Sequence, residues 1–285
     1  MTDSLSRRSM LRAGLGVAAA AGAAGMLPGL AEAEPDSHGP GLRVPKQKIS
    51  IQLFTLRNLL AADLEGTLSA LADIGYRKVE LAGLHGRTAA EFRAILDRVG
   101  IHATSSHNGI DGDLNQVIAD AHTLGQRKVV VPFVQLPTIA QWQEFTTRLE
   151  AAGAVFRRAG LSLGYHNHAH EFAPIGGVRP YDVITSGTTR RNVHLEVDLY
   201  WAVTGGVDPV KVYHDNFPRV RQYHVKDRAP DGSFADPGTG TIDFPHIFRA
   251  NHAHEVDEYI VEHDQPTDAL HTALVGYRYL AKLRF

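Results

Sequence analysis

From Lys48 to the C-terminus, short β-prone runs alternate with helix-like segments, and this alternation confines the chain to a parallel α/β architecture. The β-prone runs are Ile49 to Thr55, Lys78 to Leu81, His102 to Ser106, Lys128 to Pro132, Leu161 to His166, Val193 to Leu199, Arg221 to Val225 and Tyr259 to Glu262. A helical pattern over Leu64 to Ile74 stops at Gly75, and another over Ala89 to Val99 stops at Gly100, the expected C-terminal signal. Gly125 and Gly160 punctuate the next two units in the same way. A closing helix over Asp268 to Leu283 sets Leu270, Leu274, Tyr277 and Leu280 on one face. A doubly wound open sheet would share the alternation, but Ile51-Gln52-Leu53-Phe54-Thr55-Leu56-Arg57 carries no glycine and hence no dinucleotide fingerprint. Eight units in one run predict closure into a (β/α)8 TIM barrel.

The beginning has the three parts of an export signal: Ser6-Arg7-Arg8-Ser9-Met10-Leu11, an Ala/Gly-rich apolar stretch to Leu30, and Ala31-Glu32-Ala33. The paired arginines are similar to those of a twin-arginine signal, whose passengers cross the membrane folded. The expected organisation is a signal peptide over 1–33, a Pro/Gly-rich linker over 34–46 and a catalytic barrel over 47–285. Its expected location is periplasmic or otherwise extracytoplasmic, with no stable membrane insertion after cleavage. The formal net charge is -2 with no dense basic stripe beyond the first dozen residues, which argues against a nucleic-acid partner. A homo-oligomer is compatible with this composition. There is no cysteine, so a metal would have to be held by Asp, Glu and the 16 histidines.

In a parallel barrel the active site lies at the C-terminal strand ends. There the period-two alternation sets His194, Glu196 and Asp198 on one face of the sixth strand, and Gln222, His224 and Lys226 on one face of the seventh. On the eighth, Glu262 points inward with Ile260 and Asp264. Polar groups inside a barrel are costly unless paired or bound to a cation, which makes Asp198 and His224 natural ligands and Glu196 a carboxylate that orients a neighbour. The fifth strand ends in the densest cluster, Tyr165-His166-Asn167-His168-Ala169-His170-Glu171-Phe172, in which either His166 or Glu171 can complete a metal set.

Six stretches resemble the sugar isomerase/epimerase family with the xylose-isomerase-like barrel. They are Gln52 to Arg57, Gly75 to Leu81, Gly164 to His168 with Glu171-Phe172, Val197 to Trp201, His224 to Asp227 and Val261 to Asp264. The resemblance implies a divalent ion, most often Mn2+ with Mg2+, Co2+ or Zn2+ as alternatives, held by Asp198, His224, Glu262 and a fourth ligand. Glu171 is favoured for that place and His166 is the alternative. It also implies Glu171, Glu262 and Lys226 as catalytic groups, and His166, His168, Trp201, His107 and Glu80 as substrate contacts. Trp201 stands where well-studied epimerases carry a substrate-binding histidine, and its ring is expected to stack on a sugar.

The function so implied is isomerisation or epimerisation of a small-molecule sugar or keto-sugar by proton abstraction next to a carbonyl. Elimination from a keto-glycoside is a close alternative, because it shares the first proton transfer. A non-catalytic sugar-binding barrel is a reading from a different class, opposed by ligand-type residues at four strand ends.

Overall fold

The computed structural model describes residues 41–250 and 256–285. The expected signal peptide and the first part of the expected linker lie outside the described residues. Eight parallel strands close into one barrel: β1 (Ile49–Gln52), β2 (Lys78–Leu81), β3 (His102–His107), β4 (Lys128–Val131), β5 (Ser162–His166), β6 (Val193–Asp198), β7 (Val220–Val225) and β8 (Glu258–Val261). Each pairs with its sequence neighbours, and β8 pairs with β1. The expected (β/α)8 architecture is the one observed.

Two expected helices have the bounds read from the sequence, Leu64–Ile74 and Ala89–Val99. The second begins with a reciprocal capping box between Thr88 and Glu91 and ends at Gly100 in the left-handed region, φ 70°. The closing helix spans Ala269–Lys282, with Asp268 capping the His271 amide from outside. The first strand is shorter than expected. Its Gln52 side chain accepts from the Phe54 amide at 3.1 Å, which turns Leu53–Leu56 into a 3-10 helix and lifts Phe54 to the mouth of the barrel.

The expected linker ends earlier than residue 46. Arg43 bridges Arg284, the Phe285 amide donates to Leu42 O at 3.0 Å, and Val44 is buried, because the C-terminal residues offer this segment backbone and apolar partners. Pro/Gly composition shows a break in periodicity, not where docking begins.

The outward faces of the strands form the core with the helices: Leu163 and Tyr165, Leu195 and Val197, and Tyr223 and Val225 are all buried, as are Trp142, Phe145 and Phe156 of the Ile139–Arg158 helix. The lumen is polar instead. Ser50, Gln52, Glu80, His166, His194, Glu196, Asp198, Gln222 and His224 are buried among one another. Gly164 makes the room for this, since a Cβ there would come within 2.4 Å of His194 Nε2. Register shifts fall at Val79/Glu80 against β3 and at Leu195/Glu196 against β7, re-aiming two lumen carboxylates next to the site.

After β7 a short hairpin pairs Asp227–Arg228 with Phe234–Ala235. The buried Asp227 carboxylate accepts from the amides of Arg228, Gly238, Gly240 and Ile242 at 2.8 to 3.2 Å, fastening the whole loop to the strand end. No helix among the described residues is long and apolar enough to cross a membrane.

Candidate active site

The C-terminal strand ends converge on one buried polar cluster. His166, Asp198, His224 and Glu262, from β5, β6, β7 and the residue after β8, each direct a ligand atom to a common space in which these atoms lie within 4.8 Å of one another. His224 Nδ1 is 2.7 Å from Glu262 Oε2, and its Nε2 is 2.8 Å from Glu80 Oε1 and 3.0 Å from Glu196 Oε1. His107 Nε2 adds a contact to Glu196 at 2.9 Å, and His166 Nδ1 another at 3.2 Å. Glu196 is therefore a hub that orients three imidazoles from behind, and Gln52 Nε2 fixes Glu80 in the same way at 2.8 Å.

Lys226 is the single ammonium of this cup among the described residues. Its Nζ lies 2.8 Å from Glu262 Oε2, 2.8 Å from Asp264 Oδ1 and 3.1 Å from Asp198 Oδ2. Four buried carboxylates belong to the cluster, Asp198 and Glu262 beside Lys226 and Glu80 and Glu196 beside the imidazoles, so negative charge is in excess. The shifts follow. Burial disfavours the cation at His107, but Glu80 and Glu196 outweigh it and push the imidazole up to about 9. Burial is likewise overcome at His224, which Glu196 and Glu262 drive well above the ordinary histidine range. Burial raises Asp198 to about 6, with Lys226 offsetting part of the rise. At Glu262 the same burial is overcome by Lys226 and His224, which hold the carboxyl well below its usual range. His168, partly buried beside the cup, is lowered to about 3 by burial and then Lys226, so its imidazole is neutral.

The donor set fits a divalent cation. Glu80 Oε2 and Glu196 Oε2 are buried without accepting a hydrogen bond, and Asp198 Oδ2 has the Lys226 ammonium at 3.1 Å but no hydrogen bond, which leaves carboxylate oxygens that a cation could satisfy.

Glu171 is placed elsewhere. The loop after β5 folds into the 3-10 turn His170–Phe172, and the buried Glu171 carboxylate accepts from Tyr165 OH at 2.8 Å and from the His168 amide at 2.9 Å. Tyr165 faces the helices, so Glu171 ties the loop to the outer layer and does not join the group of four. His166, the alternative to Glu171, is the residue that joins Asp198, His224 and Glu262 in this group.

A family model describing the xylose isomerase-like TIM barrel matches residues 68–275. The chain belongs to that family. Inosose dehydratase of Geobacillus kaustophilus is 26% identical over 227 residues, covering 64% of this chain and 73% of that protein. The rhizopine catabolism protein MocC of Rhizobium meliloti is 25% identical over 227 residues, covering 65% of this chain and 69% of that one. Among solved structures, a sugar phosphate isomerase/epimerase from Parabacteroides distasonis superposes with a TM-score of 0.72 at 25% identity, over 83% of this chain and 98% of that one.

In this xylose isomerase-like barrel a cavity of about 350 Å³ opens over the cluster, with His107, His166, His168, Lys226, Glu262 and Asp264 on its polar side. Of the expected substrate contacts, His107, His166 and His168 line it. Glu80 is fully buried under His107 and His224. Trp201 packs against His168 (ring centroids 5.2 Å), Tyr200 (4.7 Å) and Phe234 (5.6 Å), with Lys226 Nζ 5.5 Å from its ring. The ring is partly buried among these neighbours and is not one of the side chains that line the cavity.

Sequence reasoning missed Asp264 as a partner of Lys226, Phe54 and Phe133 as walls of the cavity, and Phe234 as a packing partner of Trp201. Phe234 had a usable signal, since Pro230-Asp231-Gly232 is a turn sequence that places the next residues in a returning strand.

Proposed function

We propose that this enzyme is a divalent-metal-dependent sugar isomerase or epimerase that abstracts a proton next to the carbonyl of a sugar or keto-sugar. The observation that carries the reading is the convergence of His166, Asp198, His224 and Glu262 on one space at the barrel mouth, with the Lys226 ammonium beside it. These four residues would hold the ion, and Mn2+ suits their mixed oxygen and nitrogen donors. When bound, the ion supplies Lewis-acid polarisation of a substrate carbonyl.

The chain's own groups perform the rest. Glu262 lines the cavity and is ionised, so it can take the proton from the carbon beside the carbonyl. Lys226 stays charged because Asp198 and Glu262 outweigh its burial, and it offsets the negative charge that builds on the carbonyl oxygen. His168 presents a neutral imidazole whose buried Nδ1 has no hydrogen-bond partner, suited to a substrate hydroxyl. Glu80, Glu196 and Gln52 hold the imidazoles in place.

A second reading, elimination, is favoured by the likeness to inosose dehydratase and by Lys226, which can give a proton to a departing β-oxygen after Glu262 has taken the carbon-bound one. The Arg7-Arg8 pair and the Ala31-Glu32-Ala33 exit support export, which favours free sugars and glycosides over phosphorylated ones.

Incubating Mn2+-loaded protein with a panel of keto-sugars and keto-glycosides in deuterated water tests the reading, because solvent deuterium enters the carbon next to the carbonyl whichever product forms. We expect label in at least one panel member, abolished in Glu262→Gln. No label anywhere would overturn the catalytic reading in favour of a sugar-binding barrel.

A further inference from the structure

The cavity over the cluster is two-sided. Its polar side stands on β5, β7 and β8, whereas Phe54, Ala82, Pro132 and Phe133 supply an apolar arc from the segments that follow β1, β2 and β4. These strands lie together on one half of the closed barrel, with β3 contributing His107 between them. The arc is open to solvent: Phe54 is 40% exposed and Phe133 is 53% exposed, two of the few large apolar side chains exposed among the described residues.

Both rings are nevertheless held. The Arg57 guanidinium lies 4.2 Å from the centre of the Phe54 ring and is itself anchored on Phe54 O and Asp264 O at 2.9 and 2.8 Å. Phe133 meets His168 edge to face at 5.0 Å and His170 at 5.4 Å, and His170 is fixed by Val134 O at 2.7 Å. Exposed aromatic rings braced on several sides form a prepared surface whose ordering is already complete before a ligand arrives.

A bare sugar uses only part of this surface: a C–H face can lie on one ring, but its edge needs hydrogen-bonding partners. A pyranose carries hydroxyls around its whole edge, and the side chains of the arc, Phe54, Ala82, Pro132 and Phe133, offer them no donor or acceptor; Pro132 lacks even a backbone N–H. We propose that the substrate is a glycoside with an apolar, planar aglycone. Its sugar engages His166, His168, Lys226 and Glu262, and its aglycone covers Phe54 and Phe133 within the same cavity. This deepens the keto-sugar reading and rests on it. It also makes Phe133, with Phe54, the determinant of specificity, since offset and edge-to-face contacts reward an aromatic group over an alkyl one of similar reach.

The test is calorimetric titration of Mn2+-loaded protein with matched phenyl and methyl β-glycosides of glucose, galactose and xylose and with their 3-keto derivatives, read beside deuterium exchange in the same series. We expect phenyl members to bind about tenfold tighter than their methyl partners, with the advantage falling below about threefold in Phe133→Ala and to an intermediate value in Phe133→Leu. Phe133 is mostly solvent-exposed, so neither variant removes core packing. Equal binding of the two series, or an advantage that survives in both Phe133→Ala and Phe54→Ala, overturns the aglycone assignment while leaving the keto-sugar reading intact. Neither binding nor exchange by any member overturns both.

Discussion

Lys226 and Asp264 form an ion pair at 2.8 Å on the rim of the cup, and the same ammonium reaches Glu262 at 2.8 Å and Asp198 at 3.1 Å, two of the four groups that would hold a metal. A divalent ion held by this group would therefore compete with the lysine for the same carboxylates, and Asp264 offers the ammonium an alternative partner.

The competition predicts that Lys226→Met binds Mn2+ at least about tenfold more tightly than the parent protein, as removal of a like charge within a few ångströms requires. The same variant should lose most of its solvent exchange activity. Titration of chelator-treated protein with Mn2+ checks the first point, and unchanged affinity would show that the ion does not sit against Asp198 and Glu262.

The ligand group predicts about one divalent ion per chain. Asp198→Ala, His224→Ala and His166→Gln should each reduce occupancy strongly, whereas Glu171→Gln, whose carboxylate is engaged by Tyr165 and His168, should retain the ion and lose thermal stability. Metal analysis after dialysis decides it, and a filled site in His166→Gln with an empty one in Glu171→Gln would reverse the assignment.

Gly164→Ala should destabilise the barrel by about 2 kcal/mol, since the added methyl would drive His194 off its contacts with Ser162 Oγ at 2.8 Å and Gln222 Oε1 at 3.0 Å. Denaturant unfolding measures the difference, and a change below about 0.5 kcal/mol would mean that the lumen relaxes freely around position 164.

Asp257, at the opposite end of the barrel, gives a pH signature. Burial raises its carboxyl, but Lys128 and Arg221, with contacts at 3.2 and 2.6 Å, outweigh burial and hold it below its ordinary value. A depressed native pKa contributes stability above the unfolded value, roughly 3.9, and loses it as pH falls through the native one. Asp257→Asn should therefore cost about 1 kcal/mol at pH 7 and progressively less below about pH 4. A constant cost across that range would assign the effect to packing instead.

The proposal of export rests on the first residues alone. Replacing Arg7 and Arg8 by lysine should leave the precursor in the cytoplasm, and subcellular fractionation with immunodetection reports the outcome.

Local sequence determined the barrel because its signals are local: glycine after a helix, a cap before it, and period-two alternation within a strand are all properties of a few consecutive residues. The same alternation brought Asp198, His224, Lys226 and Glu262 to one mouth without any knowledge of distances, since strand direction and closure leave a lumen-facing side chain at a strand end nowhere else to point. Glu171 lies beyond the reach of that rule. It follows the strand by five residues, and the hydroxyl of Tyr165, on the outward face, together with the His168 amide turns its carboxylate to the helix layer, so that His166 and not Glu171 is in the group of four. Phe54, Phe133 and Phe234, and the pairing of Asp264 with Lys226, likewise belong to segments after the barrel strands, whose contacts are set by caps, turns and the neighbours they meet in space. Tertiary structure decided these because their partners are distant in sequence and no local pattern encodes which of them will be within reach.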